Sequence, residues 1–496
     1  MKPTRNLRWL AVGMVLFLSL STFLNLLLPA PVSSQTAVEL AQVNRLQLLE
    51  QGDRLWQEGN QEQAVAYYRQ AKPSFPTPTR NSTVPEPIFE IEQLGGGQRL
   101  WENALDGIAR DLDSKIFLYL QRLTNDYPQF IPAHLKLAEA CLSDKEACER
   151  YLKDIDPAEI MQRLSDLYPA EPEVIRTQVK VLAAEKKYLE ASIAARQFAL
   201  ILVDHPDAPE FAEMADEYMG RFLSDVKAQA IALGVLQAIT GGIGISQGNW
   251  AQGISAIQMI RLLLKGESGF GEQVAQGYVE NFRSQGKLVE DPKLLNYIKG
   301  IGGRLEPYMG RDFDYEYYVV KDDNTINAFA LPGGKIFIYT GAIEAANSQA
   351  ELAGLIGHEI AHAVFSHGYE KMVEAILFQV ISGFIPKNTP IRLENILELG
   401  SKANSRAQEQ QADILGTRVL NPAGYAADGL RNFMTILAQQ QANRATSWSD
   451  THPAAVERVG YLEKLIVDND YNRYAYEGVT EHREIIKVMS DSLALN

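Results

Sequence analysis

Most of this chain reads as helix. Apolar residues recur every three or four positions from Arg45 to Phe75 and again from Trp101 to Phe222, the spacing that lines one face of an α-helix. Between Ala228 and Ile260 the pattern changes to a stretch with no charge and six glycines, flanked by IALGVL and ISAIQMI. No part of it reaches ~20 uninterrupted apolar residues. Core helices packed through small residues therefore account for it better than an interfacial helix or a re-entrant hairpin. Helices follow over Gly271 to Gly286 and, behind the cap Asp291-Pro292, up to Leu305. Tyr315 to Val320 is then rich in aromatic and β-branched residues, Asp322-Asp323-Asn324 supplies turn formers after it, and Lys335 to Thr340 is the next strand, which predicts a hairpin-like sheet. From Ser348 the chain is helical again, SQAELAGLIGHEIAHAVFSHG, with Ser348 and Glu351 in capping-box spacing and Gly368 after the last turn. The fold class is α+β, mostly α, with a small sheet. Its segments are a leader at 1–34, a helix pair at 40–76, a linker at 77–98, a helical region at 99–225, the uncharged Gly-rich apolar segment at 226–265 and an α+β domain at 266–496.

Composition narrows the classes. A chain of 496 residues exceeds one hydrophobic core, and 46% apolar with 22% charged residues is ordinary for folded proteins. A net charge of −15 and an isoelectric point near 5.1 leave no basic footprint, which excludes nucleic acid as a partner. Lys2, Arg5 and Arg8 precede the apolar run Trp9 to Leu28 and then small residues up to Ser34, so the leader is either a cleaved signal peptide or a membrane anchor. In both cases the rest is exported, to a periplasm, a lumen or the medium. Contact with a membrane surface stays open for 228–260 and for the apolar run Val373 to Ile385. Cys141 and Cys148, seven apart, fit the end of one helix and the start of the next, as a disulfide or as two buried thiols.

The chemistry concentrates in the helix that begins at Ser348, where His358, Glu359 and His362 stand in the order HExxH. At about 100° per residue the two histidines lie only ~40° apart and one turn removed, so both imidazoles can reach one zinc ion. Glu359 sits beside that face, where a carboxylate can take a proton from zinc-acidified water and later deliver it to a leaving amine. His367 would point about 180° away on a continuous helix, which makes it a poor ligand. The longer HExxHxxGxxH pattern needs glycine and histidine where Phe365 and Gly368 stand, so that class is excluded. A third ligand is offered downstream in SRAQEQQADILG, where Glu409 and Asp413 share one face at i, i+4. Glu409 is suited to bind the metal and Asp413 to orient a ligand imidazole through its other ring nitrogen. Either carboxylate alone would read as a solvated helix face.

With SRAQEQQADILG, NAFALPGGKIFIYTGAI from Asn327 to Ile343 and THPAAVER from Thr451 to Arg458, the HExxH stretch resembles metallopeptidase family forty-eight, the family of HtpX, the CAAX prenyl proteases and BepA. The resemblance covers about residues 266 to 482 and implies a zincin-like catalytic domain with one zinc per chain. It also implies Glu409 as third zinc ligand and Glu359 as catalytic base. Resemblance to zinc peptidases further suggests that Asn327, Ala328 and Phe329 form an edge where substrate backbone pairs as an added strand; alone, Asn327 would read as closing a turn. His452 and Arg458 are candidates to meet an oxyanion from the far side of the metal. The resemblance supports His452, either as that donor or as a reversible ligand of the open zinc position, where alone it would read as a helix cap.

Arg45 to Phe75 is similar to a tetratricopeptide repeat, with Gly52, Trp56, Gly59, Ala64, Tyr68 and Ala71 at the repeat's spacing. Tyr127-Pro128, Tyr168-Pro169 and His205-Pro206 punctuate the next region at repeat-length intervals, so it reads as further TPR-like repeats or as an unrelated bundle. Either would hold protein or peptide. Together these readings predict an exported zinc endopeptidase acting on peptide bonds of misfolded or unassembled proteins, with protein partners on the repeats. The alternative is a chaperone or assembly factor with a latent or structural zinc site.

Overall fold

The structure, a computed structural model, describes residues 34–75, 86–153, 156–232, 254–255, 262–381, 390–391, 404–441, 452 and 455–494. The leader, most of the uncharged Gly-rich segment and the first part of the predicted linker lie outside them. The chain divides into two compact units, one ending at Ser74 and one beginning at Phe75.

The first unit is a helix pair, Ser34–Gln57 and Gln61–Ala71. Gly59 makes the turn at φ +81°. Gly52 lets the pair close, since a Cβ there would come within 2.5 Å of the Tyr68 ring. Tyr68 is buried and satisfies its hydroxyl by donating to Asp53 at 2.8 Å.

The second unit begins with helices from Gln98–Ala109 to Ala208–Ala232, several opened by proline in the first turn at Pro132, Pro157 and Pro172. Their core is apolar, with Met161, Leu164, Val174, Phe198 and Phe211 in one cluster. Cys141 and Cys148 form a disulfide between the end of helix Ile131–Ser143 and helix Lys145–Leu152. The linker prediction needs correction at its C-terminal end: Ile88 bridges to Phe130 and Leu94 is buried, because these apolar residues find a partner in the first helices. Val373 and Ile376, in helix His367–Ile381, pack in the core, and among the described residues no helix is long and apolar enough to cross a membrane.

A short strand β1 (Ile254–Ser255) pairs antiparallel with Pro390–Ile391. The sheet that positions the site is four-stranded: β2 (Leu288–Val289), β3 (Glu316–Val320), β4 (Ala328–Leu331) and β5 (Lys335–Tyr339), in the order β2-β3-β5-β4. The expected hairpin of the two predicted strands does not form, since β3 and β5 run parallel. The hairpin joins β4 to β5 instead, through Gly333 and Gly334 at φ +72° and +80°, conformations that only glycine adopts without strain. Asn327 therefore heads a strand, and β4 forms the edge of the sheet.

Against this sheet packs the motif helix, Gln349–Val364, in which every side chain from Ala350 to Val364 is buried. Ser348 caps it by accepting from Glu351 N, but Glu351 turns its carboxylate to Asn347 rather than back to Ser348, so only half of the expected capping box is made. The expected glycine stop at Gly368 is also displaced. The helix ends at Val364, Ser366 takes φ +61°, and a new helix starts at His367. The carboxylate helix, Arg406–Arg418, crosses the motif helix at Gly416, where a Cβ would lie 2.9 Å from His358 N. That bare crossing lets Glu409 and Asp413 reach the histidines.

Candidate metal centre and active site

His358 and His362 leave the same face of the motif helix and bring their Nε2 atoms to 3.1 Å. From the carboxylate helix, Glu409 sets Oε2 3.6 Å from His358 Nε2 and Oε1 3.4 Å from His362 Nε2. His452 adds a fourth donor, its Nδ1 2.9 Å from Glu409 Oε1, and one ligand atom from each of the four residues lies within 4.8 Å of the others. Ligands at ~2.1 Å around a tetrahedral zinc stand ~3.4 Å apart, so the spacing of His358, His362 and Glu409 fits a site that could hold zinc. His358 Nδ1 faces Asp413 at 3.1 Å, which suits the Nδ1-protonated tautomer that leaves Nε2 to a metal, and His362 Nδ1 faces His367 Nδ1 at 2.8 Å. Two imidazoles and one carboxylate are a donor set that zinc takes at catalytic sites.

Electrostatics tie the site together. Burial pushes the Glu409 carboxyl up, but His452, Arg458 and the hydrogen bonds of the two ligand histidines overcome it and hold the group well below the usual carboxylate range. Burial drops His362 well below its ordinary value, which keeps it neutral and able to bind metal. Glu359 is buried beside the tetrahedron with Oε1 3.6 Å from His452 Nε2, and that oxygen makes no hydrogen bond among the described residues. Burial raises its carboxyl above the ordinary value, against the pull of His452 and His358.

The expected site residues divide. His358, His362, Glu409, Glu359, Asp413 and His452 come together. Arg458 also arrives, though with its guanidinium engaged by the carboxylates rather than aimed at an open side: it forks onto Asp413 at 2.8 and 2.6 Å and bonds Glu409 at 2.6 Å. Asn327, Ala328 and Phe329 stand at the start of β4, beside β5. Phe329 stacks on Phe337 with ring centroids 4.9 Å apart, which makes it a packing residue of the sheet. Three neighbours escaped the sequence reading. Asn404 donates to Glu409 Oε1 at 2.8 Å, while His367 and Gln411 extend the hydrogen bonding behind His362. His367 is turned toward the site because the helix breaks at Ser366, and a continuous helix would have sent it away. An uninterrupted HExxH helix hides that break from any reading by periodicity.

Fold and donor set define a zincin-type metallopeptidase domain. Comparison with known proteins agrees: residues 297–466 match the model of Peptidase family M48, and the chain carries a domain of that family. A putative beta-barrel assembly-enhancing protease of Vibrio cholerae is 28% identical over 37% of this chain and 41% of its own length. The mitochondrial metalloendopeptidase OMA1 of Schizosaccharomyces pombe is 27% identical over 36% of this chain and 54% of its own. Metalloprotease LoiP of Escherichia coli is 26% identical over 48% of this chain and 95% of its own. The chain thus spans only 41% of the length of the Vibrio relative.

Proposed function

We propose that this protein is an exported zinc-dependent endopeptidase that hydrolyses peptide bonds of misfolded or unassembled proteins. The observation that carries the reading is the convergence of His358, His362 and Glu409 on one point with Glu359 beside it. Zinc held by these three would polarise a substrate carbonyl and acidify water. Glu359 takes the proton of the attacking water and passes it to the leaving nitrogen, and its raised proton affinity suits a group that must both accept and donate. Asp413 keeps His358 in the Nδ1-protonated tautomer, and Arg458 holds Asp413 and Glu409 in place. His452, within ligand distance of the other three, would serve as a reversible fourth zinc ligand or as a donor to the oxyanion.

Substrate backbone pairs with β4, whose edge opposite β5 has no strand partner among the described residues. Asn327 and Ala328 contribute through the main chain. The helix pairs recruit or restrict the substrate. Export rests on the leader and is supported by the Cys141–Cys148 disulfide, which suits an oxidising compartment. The name of the Vibrio relative, a putative beta-barrel assembly-enhancing protease, directs the assay to unassembled β-barrel proteins beside an unfolded general substrate. Glu359→Gln should keep about one zinc per chain while hydrolysis falls by roughly 10²–10⁴. Full hydrolysis by that variant would overturn the role of Glu359, and unchanged protection of unassembled proteins without cleavage would favour a holding protein with a latent zinc site.

A further inference from the structure

The two ligand histidines are supported unequally. Behind His358 stands the Asp413 carboxylate, itself forked by Arg458. Behind His362, among the described residues, no charged group bonds Nδ1. His362 Nδ1 faces His367 Nδ1 at 2.8 Å, His367 Nε2 faces Gln411 Oε1 at 2.9 Å, and Gln411 Nε2 donates to Gln197 Oε1 at 3.0 Å. Donors and acceptors along this line can be arranged in only one consistent way once His362 Nε2 is kept bare for the metal. His362 Nδ1–H donates to His367 Nδ1, His367 Nε2–H donates to Gln411 Oε1, and the Gln411 amide donates onward to Gln197.

The last member comes from another part of the chain. Gln197 belongs to helix Tyr188–Ile201 of the helical region, outside the span of residues 297–466 that matches the peptidase family. Docking between the two helices is fixed independently by Arg418, which donates to Leu200 O at 2.9 Å and Ile201 O at 2.8 Å. At the near end, Ser366 holds the turn that presents His367: it donates to Glu267 at 2.9 Å and accepts from Arg311 at 3.0 Å.

We propose that Gln197 is a positioning residue of the metal centre, acting through Gln411 and His367 to hold the His362 imidazole in the tautomer and orientation that offer Nε2 to the metal. The helical region then completes the support of the site in addition to handling substrate. Each hydrogen bond polarises the next, so a neutral chain of this kind can substitute for the carboxylate that supports the other histidine. The proposal rests on the reading of His358, His362 and Glu409 as zinc ligands.

The test uses the full chain and two readouts independent of hydrolysis: zinc affinity by competition with a chromophoric chelator, and the visible absorption of the Co²⁺-substituted protein, which reports ligand geometry. Gln411→Leu should bind zinc about tenfold more weakly, and Gln197→Leu about threefold more weakly, both with an altered Co²⁺ spectrum. Gln411→Glu should bind within about twofold of the parent, because its carboxylate still accepts from His367 Nε2–H. Should Gln411→Leu not fold, Gln197→Leu and Gln411→Glu carry the test. Parent-like affinity and spectrum in Gln197→Leu, or a Gln411→Glu as weak as Gln411→Leu, overturn the relay while the ligand assignment stands. A parent protein that binds no zinc, or a His362→Ala that binds it as well as the parent, overturns the ligand assignment and the relay together.

Discussion

The helical region of residues 98–232 and the region of residues 266–494 are both built mainly from helices on apolar cores, yet they differ in the charges they bury. In the first, apolar side chains such as Phe211, 4.2 Å from Phe198 between ring centroids, fill the interior, and ion pairs such as Arg122 with Asp126 stay on the surface. In the second, Arg458, Asp413 and Glu409 form an ionic cluster with exposures of 6%, 0% and 2%. Apolar contacts tolerate the loss of one partner in proportion to the area lost. A buried ionic cluster does not, because removing one charge strands the others away from water. A metal cation bound by His358, His362 and Glu409 would complete the charge balance of this cluster.

Substitutions that act on one region alone break this contrast. Arg458→Met has the largest expected effect, about 3–5 kcal/mol of stability in the metal-free protein together with weakened zinc binding, measured by urea unfolding and chelator competition. Phe211→Ala should also cost about 3–5 kcal/mol, by opening a cavity, but leave zinc stoichiometry intact in the folded protein. If the two variants lose zinc equally, the contrast between the regions fails. Glu370→Gln acts where the regions meet. Burial, with Glu374 and Glu190 nearby, pushes the Glu370 carboxyl up to about 8, against Lys371 and the hydrogen bond from Gln408. Over the range between its ordinary value and about 8 the folded state binds the extra proton, so this group's stabilising contribution is present at low pH and lost as pH rises toward and through 8. The glutamine variant should therefore unfold at higher urea than the parent at pH 8, with the gap closing by pH 5. Smallest of all, Arg122→Ala removes a solvent-exposed i, i+4 pair and should change stability by less than about 0.5 kcal/mol.

Local chemistry made much of this molecule legible. Ser348 caps the motif helix, Asp291 caps the helix from Pro292 by accepting from Lys293 N and Leu294 N, and the pairs at four-residue spacing, His358 with His362 and Glu409 with Asp413, do share faces. Such features depend on neighbours within one helical turn, which the order of residues specifies. The strand pairing was not legible, because β3 and β5 become parallel neighbours only once the Pro332-Gly333-Gly334 turn has folded β4 back along β5. Nor was the direction of His367, which depends on one left-handed residue at Ser366.

By itself the sequence determined the helices, the HExxH face, the paired carboxylates and the class of chemistry they serve, since helical periodicity and ligand type are properties of short stretches. Tertiary structure alone decided that Arg458 is bound up with Asp413 and Glu409, that His452 comes within 4.8 Å of the ligand atoms of His358, His362 and Glu409, and that Gln197 stands 3.0 Å from Gln411 although 214 residues separate them. The reason is physical. Contacts across the chain arise where helices can approach closely, as at Gly416 against His358, and no local pattern records which surfaces will meet.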